Sequence, residues 1–225
     1  MIFPMMFSGQ EPIGQQQWTA AGTYSFVVPP GVFYVHCVVI ASGGGGACGA
    51  AGDTNESPAG GGGALSYSNG IAVTPGETLT VVVAFGGSAG VSSMSSGSAA
   101  ADAGIKRGAA WLVMAKGGAG GDWASGIGGA GGAAALGVGD VRWSGGKGQD
   151  ATNFTYGGWS GRYTANGVPG SNSAGLSASL FGADSGTNLG RGGAGGRTSA
   201  SPGAVGGIRI MWGGARSYPG NAADM

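Results

Sequence analysis

From Trp18 onward, apolar and polar positions alternate in short runs, and most runs stop at proline or glycine. Thr23-Tyr24-Ser25-Phe26-Val27-Val28 is β-branched and aromatic with partial alternation, the pattern of a half-buried strand. It continues a strand opened by Trp18-Thr19-Ala20 and broken at Gly22. Pro29-Pro30-Gly31 is a turn signal. Val32 to Ala41 predicts a second strand, with Val35, Cys37 and Val39 on one face and Tyr34, His36, Val38 and Ile40 on the other. Both faces are largely apolar, so this strand is expected to be covered on both sides. Ala64–Thr74 and Thr78–Phe85 read as third and fourth strands, and Pro75-Gly76 between them predicts an antiparallel hairpin. Ala109–Ala115, Val141–Trp143 and Ile208–Trp212 predict three shorter strands. No glycine-free stretch of ten residues carries a 3.6-residue apolar period, so almost no α-helix is expected.

Glycine fills the space between these strands, at 55 of 225 residues. Its runs begin after residue 42 and recur at 43–63, 117–121, 126–139 and 190–196. Glycine costs more backbone entropy to order than any other residue. Such a chain either stays disordered or adopts a lattice that only glycine fits. Hydrophobic residues at 42% and charged residues at 9% are the reverse of a disordered composition. Collagen is excluded, because glycine does not fall at every third position and prolines number only 9. The remaining solution is a set of polyproline-II rods, three residues per turn, packed side by side and hydrogen-bonded through the backbone. The runs share no fixed period, which excludes a regular solenoid. The expected fold is mainly β: a small antiparallel β-sandwich combined with a glycine-rich polyproline-II bundle. Its parts along one cooperative domain are a leader at 1–17, a β-rich part at 18–85, a glycine-rich part with aromatic loops at 86–207, and a closing strand and tail at 208–225.

Ten acidic and ten basic residues balance to zero, and no basic stripe points to nucleic acid. Low charge offers little colloidal repulsion and suits a chain that works inside an assembly. The opening Met1-Ile2-Phe3-Pro4-Met5-Met6-Phe7 lacks the basic start of a signal peptide and is interrupted by Pro4. Its apolar side chains, Ile2, Phe3, Met5, Met6 and Phe7, read as an anchor that docks on a partner. No stretch approaches the roughly 18 apolar residues of a membrane-spanning helix, so membrane insertion is not expected. Cys37 and Cys48 are the only cysteines; they read as free thiols, with pairing left open.

No catalytic constellation emerges, and neither a cofactor nor a metal is expected. Gly126–Gly131 and Gly190–Gly195 match a dinucleotide-binding glycine pattern, but neither opens a helix that would receive a phosphate. Ser144-Gly145-Gly146-Lys147 has a bare Ser-x-x-Lys spacing without the accompanying motifs. His36 lies mid-strand among apolar neighbours with no partner for general-base work. Asp53 and Glu56 form the polar tip of a glycine excursion. Trp123, Trp143, Phe154, Tyr156, Trp159, Tyr163 and Phe181 fall between glycine runs, where rods must reverse. Aromatics there either cap the rods or form a recognition surface of large, rigid contact area.

Several segments together resemble glycine-rich virion proteins of phage tails. They are Trp18, Thr23 to Val32 with its Pro-Pro-Gly, Val38-Val39-Ile40-Ala41-Ser42 followed by four glycines, Val73-Thr74-Pro75-Gly76-Glu77-Thr78-Leu79-Thr80-Val81-Val82-Val83, and Gly207 to Pro219. The likeness covers 18–85 and 205–219; the middle is similar only in glycine content. A similar layout occurs in the glycine-rich extracellular domain of anaplastic lymphoma kinase-type receptors. The resemblance implies a host-binding adhesin at a tail-fibre or baseplate tip, made in the host cytoplasm and carried in the virion. Its implied partners are other tail proteins and a host surface glycan or outer-membrane protein. It carries over no receptor-binding residue, because the loops do not align. Two alternatives stay open: a purely structural head or tail protein, and a non-viral glycine-rod recognition or ice-binding module.

Overall fold

The computed structural model describes residues 11–50, 57–92, 94–151 and 189–219. These residues are mainly β, with two antiparallel sheets and a single turn of 3-10 helix at Ala134–Leu136. The strands are β1 (Gly14–Trp18), β2 (Gly22–Val27), β3 (Tyr34–Ile40), β4 (Leu65–Ala72), β5 (Thr78–Val83), β6 (Ala103–Arg107), β7 (Ala110–Ala115), β8 (Val141–Trp143) and β9 (Gly207–Trp212). One sheet has the order β1-β9-β3-β4-β8, and the other β2-β5-β6-β7. Between them lies one apolar core, with Val35, Cys37, Val39, Ile208 and Ile210 from the first sheet against Phe26, Leu79, Val81, Ile105 and Val113 from the second. Cys37 and Cys48 are both buried and unpaired, and burial pushes the Cys37 thiol far above its ordinary range.

The anticipated hairpin of 64–74 with 78–85 does not form. β4 pairs with β3 and β8, whereas β5 pairs with β2 and β6 in the opposite sheet. The turn chemistry explains the difference. Thr74-Pro75-Gly76-Glu77 is closed by Glu77 N–H to the Thr74 carbonyl at 2.9 Å, with Gly76 at φ +83°, a type II turn. Type II turns splay their flanking strands instead of twisting them into a hairpin. Pro29-Pro30-Gly31-Val32 repeats the device, with Gly31 at φ +78°, and sends the chain from β2 to β3 across the core.

Two further strands escape the sequence pattern. β1 begins at Gly14, inside the stretch read as leader, and its glutamines form a polar edge against β9. β6 shows one large apolar residue, Ile105, and forms by pairing with both β5 and β7. The closing strand β9 lies inside its sheet, between β1 and β3.

β3 is buried on both faces, as its composition requires. Its outer residues Val38 and Ile40 join Leu65, Tyr67, Met211 and Tyr218 in a second apolar cluster. Tyr218 is clamped there by Asn69, which accepts from the Tyr218 amide and donates to its carbonyl, both at 2.9 Å. Asn69 and Gly70 oppose the single residue His36 in a β-bulge, and the Gly70 amide donates to His36 Nδ1 at 3.3 Å. His36 therefore has a structural role.

The glycine segments leave the sandwich at one pole. Residues 41, 86, 116 and 145 follow β3, β5, β7 and β8, and residues 64, 101 and 206 lead back toward β4, β6 and β9. Strands and glycine segments thus interleave along the chain. Segment 41–49 is the hub. Its Gly43, Gly44 and Gly45 amides donate to the carbonyls of Ala204, Gly61 and Ser98; Gly46, Ala47 and Cys48 then donate to Ser201, Pro58 and Ser95. The same three neighbours return after three residues. The carbonyls of Ser42, Gly43 and Gly44 accept from Gly118, Gly87 and Gly193, and the next three accept from Gly121, Gly90 and Gly196. Six segments therefore surround one, three antiparallel and three parallel. Segment 57–64 repeats the donor pattern, from Ala59 to Ala64, onto Gln149, Gly193, Ala119, Gly146, Gly190 and Lys116. Ser42 ties the hub to the sandwich, donating to the Ala84 carbonyl and accepting from the Gly206 amide.

The packing distance leaves no room for side chains. A Cβ at Gly44 would lie 2.0 Å from the Ala119 carbonyl oxygen, and one at Gly45 would lie 1.9 Å from that of Ser88. Both obstacles are backbone and cannot rotate away. Gly45→Ala is expected to destabilise the protein by at least about 3 kcal/mol or to prevent folding. Gly108, at φ +58° with open space around it, is expected to accept Asn at a cost under about 1 kcal/mol. Denaturant melts of the two variants check both expectations.

Candidate functional site

Nine residues of hub segment carry the lattice away from the sandwich, from Ala41 to Gly49. At its distal end the chain reverses at 90–95, 121–127 and 196–199. These turns hold large aliphatic side chains in water: Val91 is 93% exposed, Met94 62% and Ile127 51%. These side chains contribute nothing to the core and leave apolar surface in water on the turns.

The turns are held in place by the lattice. Ser95 pairs with Cys48 in both directions, at 2.8 and 3.0 Å. The Ser95 hydroxyl donates to the Ser92 carbonyl at 2.6 Å and accepts from the Ser92 amide at 3.2 Å. Met94, inside this loop, has a left-handed backbone at φ +60°, a conformation that costs a side-chain-bearing residue roughly 1–2 kcal/mol.

The neighbouring turn is organised by Asp122. Its carboxylate accepts from the Ser125 hydroxyl at 2.6 Å, the Ser96 hydroxyl at 2.9 Å and the Ala124 amide at 3.2 Å. The Ser125 and Ser96 hydroxyls hold the Asp122 carboxyl below the usual carboxylate range. The Asp122 amide closes the loop on the Ile127 carbonyl at 2.9 Å. Trp123 follows, half-buried, with its amide donating to Ser96 Oγ at 3.0 Å. Its six-membered ring lies beside Gly49, where a Cβ would come within 3.1 Å. Close by, Asp150 accepts from the Lys147 ammonium at 2.6 Å and from the Gly128 amide at 2.7 Å, and Lys147 first among these lowers its pKa.

Among the aromatic candidates, Trp123 lies at this end and Trp143 does not. Trp143 belongs to β8, pairs with Leu65 and packs on Tyr67 with ring centroids 5.7 Å apart. It serves the second apolar cluster instead. Phe154, Tyr156, Trp159, Tyr163 and Phe181 lie outside the described residues, as do Ile2, Phe3, Met5, Met6, Phe7, Asp53 and Glu56. The aliphatic trio Val91, Met94 and Ile127 was not evident from sequence. The available signal was a lone large apolar residue within a Ser/Gly run, where no neighbour could bury it.

The dinucleotide-like glycine motifs are lattice segments. Gly129, Gly190 and Gly193 spend their amides on Ala59, Val205 and Gly44, leaving these donors committed within the protein. Ser144 Oγ accepts from the Ala134 amide while Lys147 pairs with Asp150, so Ser144 and Lys147 form no pair of their own. No protein-family model matches the chain, and no curated protein matches it.

Asp122→Ala is expected to free residues 122–127 without unfolding the sandwich. Amide exchange at Trp123 and Ala124 should rise at least about tenfold, with the melting temperature unchanged. Acid should act in the same direction. A carboxyl with a lowered folded pKa contributes its hold above the unfolded value of about 4 and loses it as pH falls through the folded value.

Proposed function

We propose that the glycine segments are polyproline-II rods and that the chain is a phage tail component acting as an adhesin at a fibre or baseplate tip. The three-residue return of hydrogen-bond partners supports the first part, because polyproline II has three residues per turn. At about 3.1 Å per residue, segment 41–49 would carry the distal turns about 25 Å from the sandwich. Such a bundle is stiff, since each inner rod is held from several sides, and it presents short turns on a rigid mount.

The observation that carries the adhesin reading is the placing of Val91, Met94 and Ile127 on turns pinned at the far end, with Trp123 half-buried on the 121–127 turn. A host-surface protein or glycan would cover these side chains and remove them from water, at roughly 25 cal/mol per Å² of apolar surface. At this end Asp122 and the Lys147–Asp150 pair are satisfied internally, while Arg197 on the 196–199 turn is exposed. The virion is the expected location and other tail proteins the expected assembly partners.

Adsorption of particles carrying Val91→Ser, Met94→Ser and Ile127→Ser together tests this reading. The expected result is a fall of at least about tenfold in adsorption rate, with unchanged incorporation and melting temperature. Normal adsorption by these particles would favour a purely structural virion protein.

A further inference from the structure

We propose that the free edge of β2 is the seam of a two-fold dimer, in which β2 of a second copy pairs with it antiparallel and joins the two four-stranded sheets into one. This surface is separate from the distal turns and does not depend on the tail reading. β2 lies at the end of its sheet, with β5 as a neighbour on one side only. The other sheet edges are less open. β1 gives its Gly14 carbonyl to Arg216 at 3.1 Å, Met114 of β7 exchanges bonds with Val138 at 2.8 and 2.9 Å, and β8 is three residues long.

Strand geometry fixes which groups of β2 are free. The amide and carbonyl of one residue point to one side of a strand, and those of the next residue point to the other. The Val28 amide donates to the Glu77 carbonyl and the Val28 carbonyl accepts from the Gly76 amide, so Val28 faces the β5 side. Phe26, Tyr24 and Gly22 share that direction and face Leu79, Val81 and Val83. Thr23, Ser25 and Val27 therefore turn their amides and carbonyls to the open side, and all three residues are exposed. No described strand pairs with them there. β2 also lacks the common devices that keep an exposed edge from pairing. Gly22–Val27 holds no charged residue and no proline, and its register with β5 runs without a bulge from Gly22 opposite Val83 to Val27 opposite Thr78.

Backbone bonds alone would accept any extended chain; the placing of the free groups selects a second copy. They are arranged symmetrically about Ser25. Two β2 strands running antiparallel, with Ser25 opposite Ser25 on the two-fold axis, bring Thr23 of each copy opposite Val27 of the other. Each facing pair exchanges both of its backbone bonds, and no free group of the edge is left over. A residue on a two-fold axis meets its own copy, so a charge there would repel itself. Ser25 is small and neutral and can hydrogen-bond to its counterpart. Val27, 58% exposed, gains a β-branched neighbour in the second copy's Thr23. Charge around the seam does not oppose the pairing. Glu77, near the Val27 end, is held by Arg107 in a two-pronged pair, and Lys106, two strands in, lies over the Trp111 ring at 4.1 Å.

Sedimentation velocity of the full-length chain tests the seam. At about 100 μM, ample for a micromolar dimer, the wild type is expected to sediment as a dimer. Ser25→Pro removes the outward amide without touching the ladder to β5 and is expected to give a monomer. Ser25→Lys and Ser25→Glu are each expected to raise the dimer dissociation constant at least about tenfold. Their equimolar mixture is expected to restore the dimer, because opposite charges then meet across the axis; a merely structural role for Ser25 would not produce that rescue. A monomeric wild type, or a dimer that Ser25→Lys leaves intact, would overturn the proposal. So would charge variants whose mixture stays as dissociated as either alone.

Discussion

A glycine backbone offers one donor and one acceptor per residue and no side chain to keep neighbours apart, and the rest of this molecule follows from that constraint. In a β-sheet a strand finds partners on two sides only. Segment 41–49 finds them on six, because each successive amide and carbonyl turns toward a different neighbour. Buried backbone polar groups must be paired, and this lattice pairs them without a helix or a pleated ladder. The penalty is the conformational entropy of ordering glycine. The sandwich helps to offset it by fixing the starting point of each excursion. Seven strand ends emerge at one pole, so each segment enters the lattice already placed beside its partners.

The glycine lattice also explains which features the sequence disclosed. Side-chain patterns announced β3, with apolar residues on both faces, and the Pro-Gly turns at 30–31 and 75–76. They did not disclose that these turns cross between sheets, because a type II turn and a hairpin turn differ in backbone twist more than in composition. β1 and β6 stayed hidden for a related reason. Their residues are polar or small, and their strand character comes from the partners on either side. Register within the glycine segments was unreadable in principle. A strand's register is set by which side chains must face the core, and Gly43 to Gly46 carry no such information.

The distal candidates show the same limit. Trp143 looked equivalent to Trp123 when both were aromatics bordering glycine runs, yet one packs on Tyr67 in the sandwich and the other lies beside Gly49 at the far end. Val91, Met94 and Ile127 carried no period to mark them. Their meaning comes from position, on turns that the lattice fixes and the core cannot reach. One end of the molecule exposes Phe33 and Tyr34 near the turn between β2 and β3, and the other exposes aliphatics on short turns.

Amide hydrogen exchange, read residue by residue by NMR, tests the lattice most directly. If the backbone bonds of the hub are as described, the amides of Gly43, Gly44, Gly45 and Gly46 exchange as slowly as those of Val38 and Ile40 in the central strand, and all are released together on global unfolding. Exchange of those four glycines at the rate of an unprotected chain, while β3 stays protected, would contradict the account.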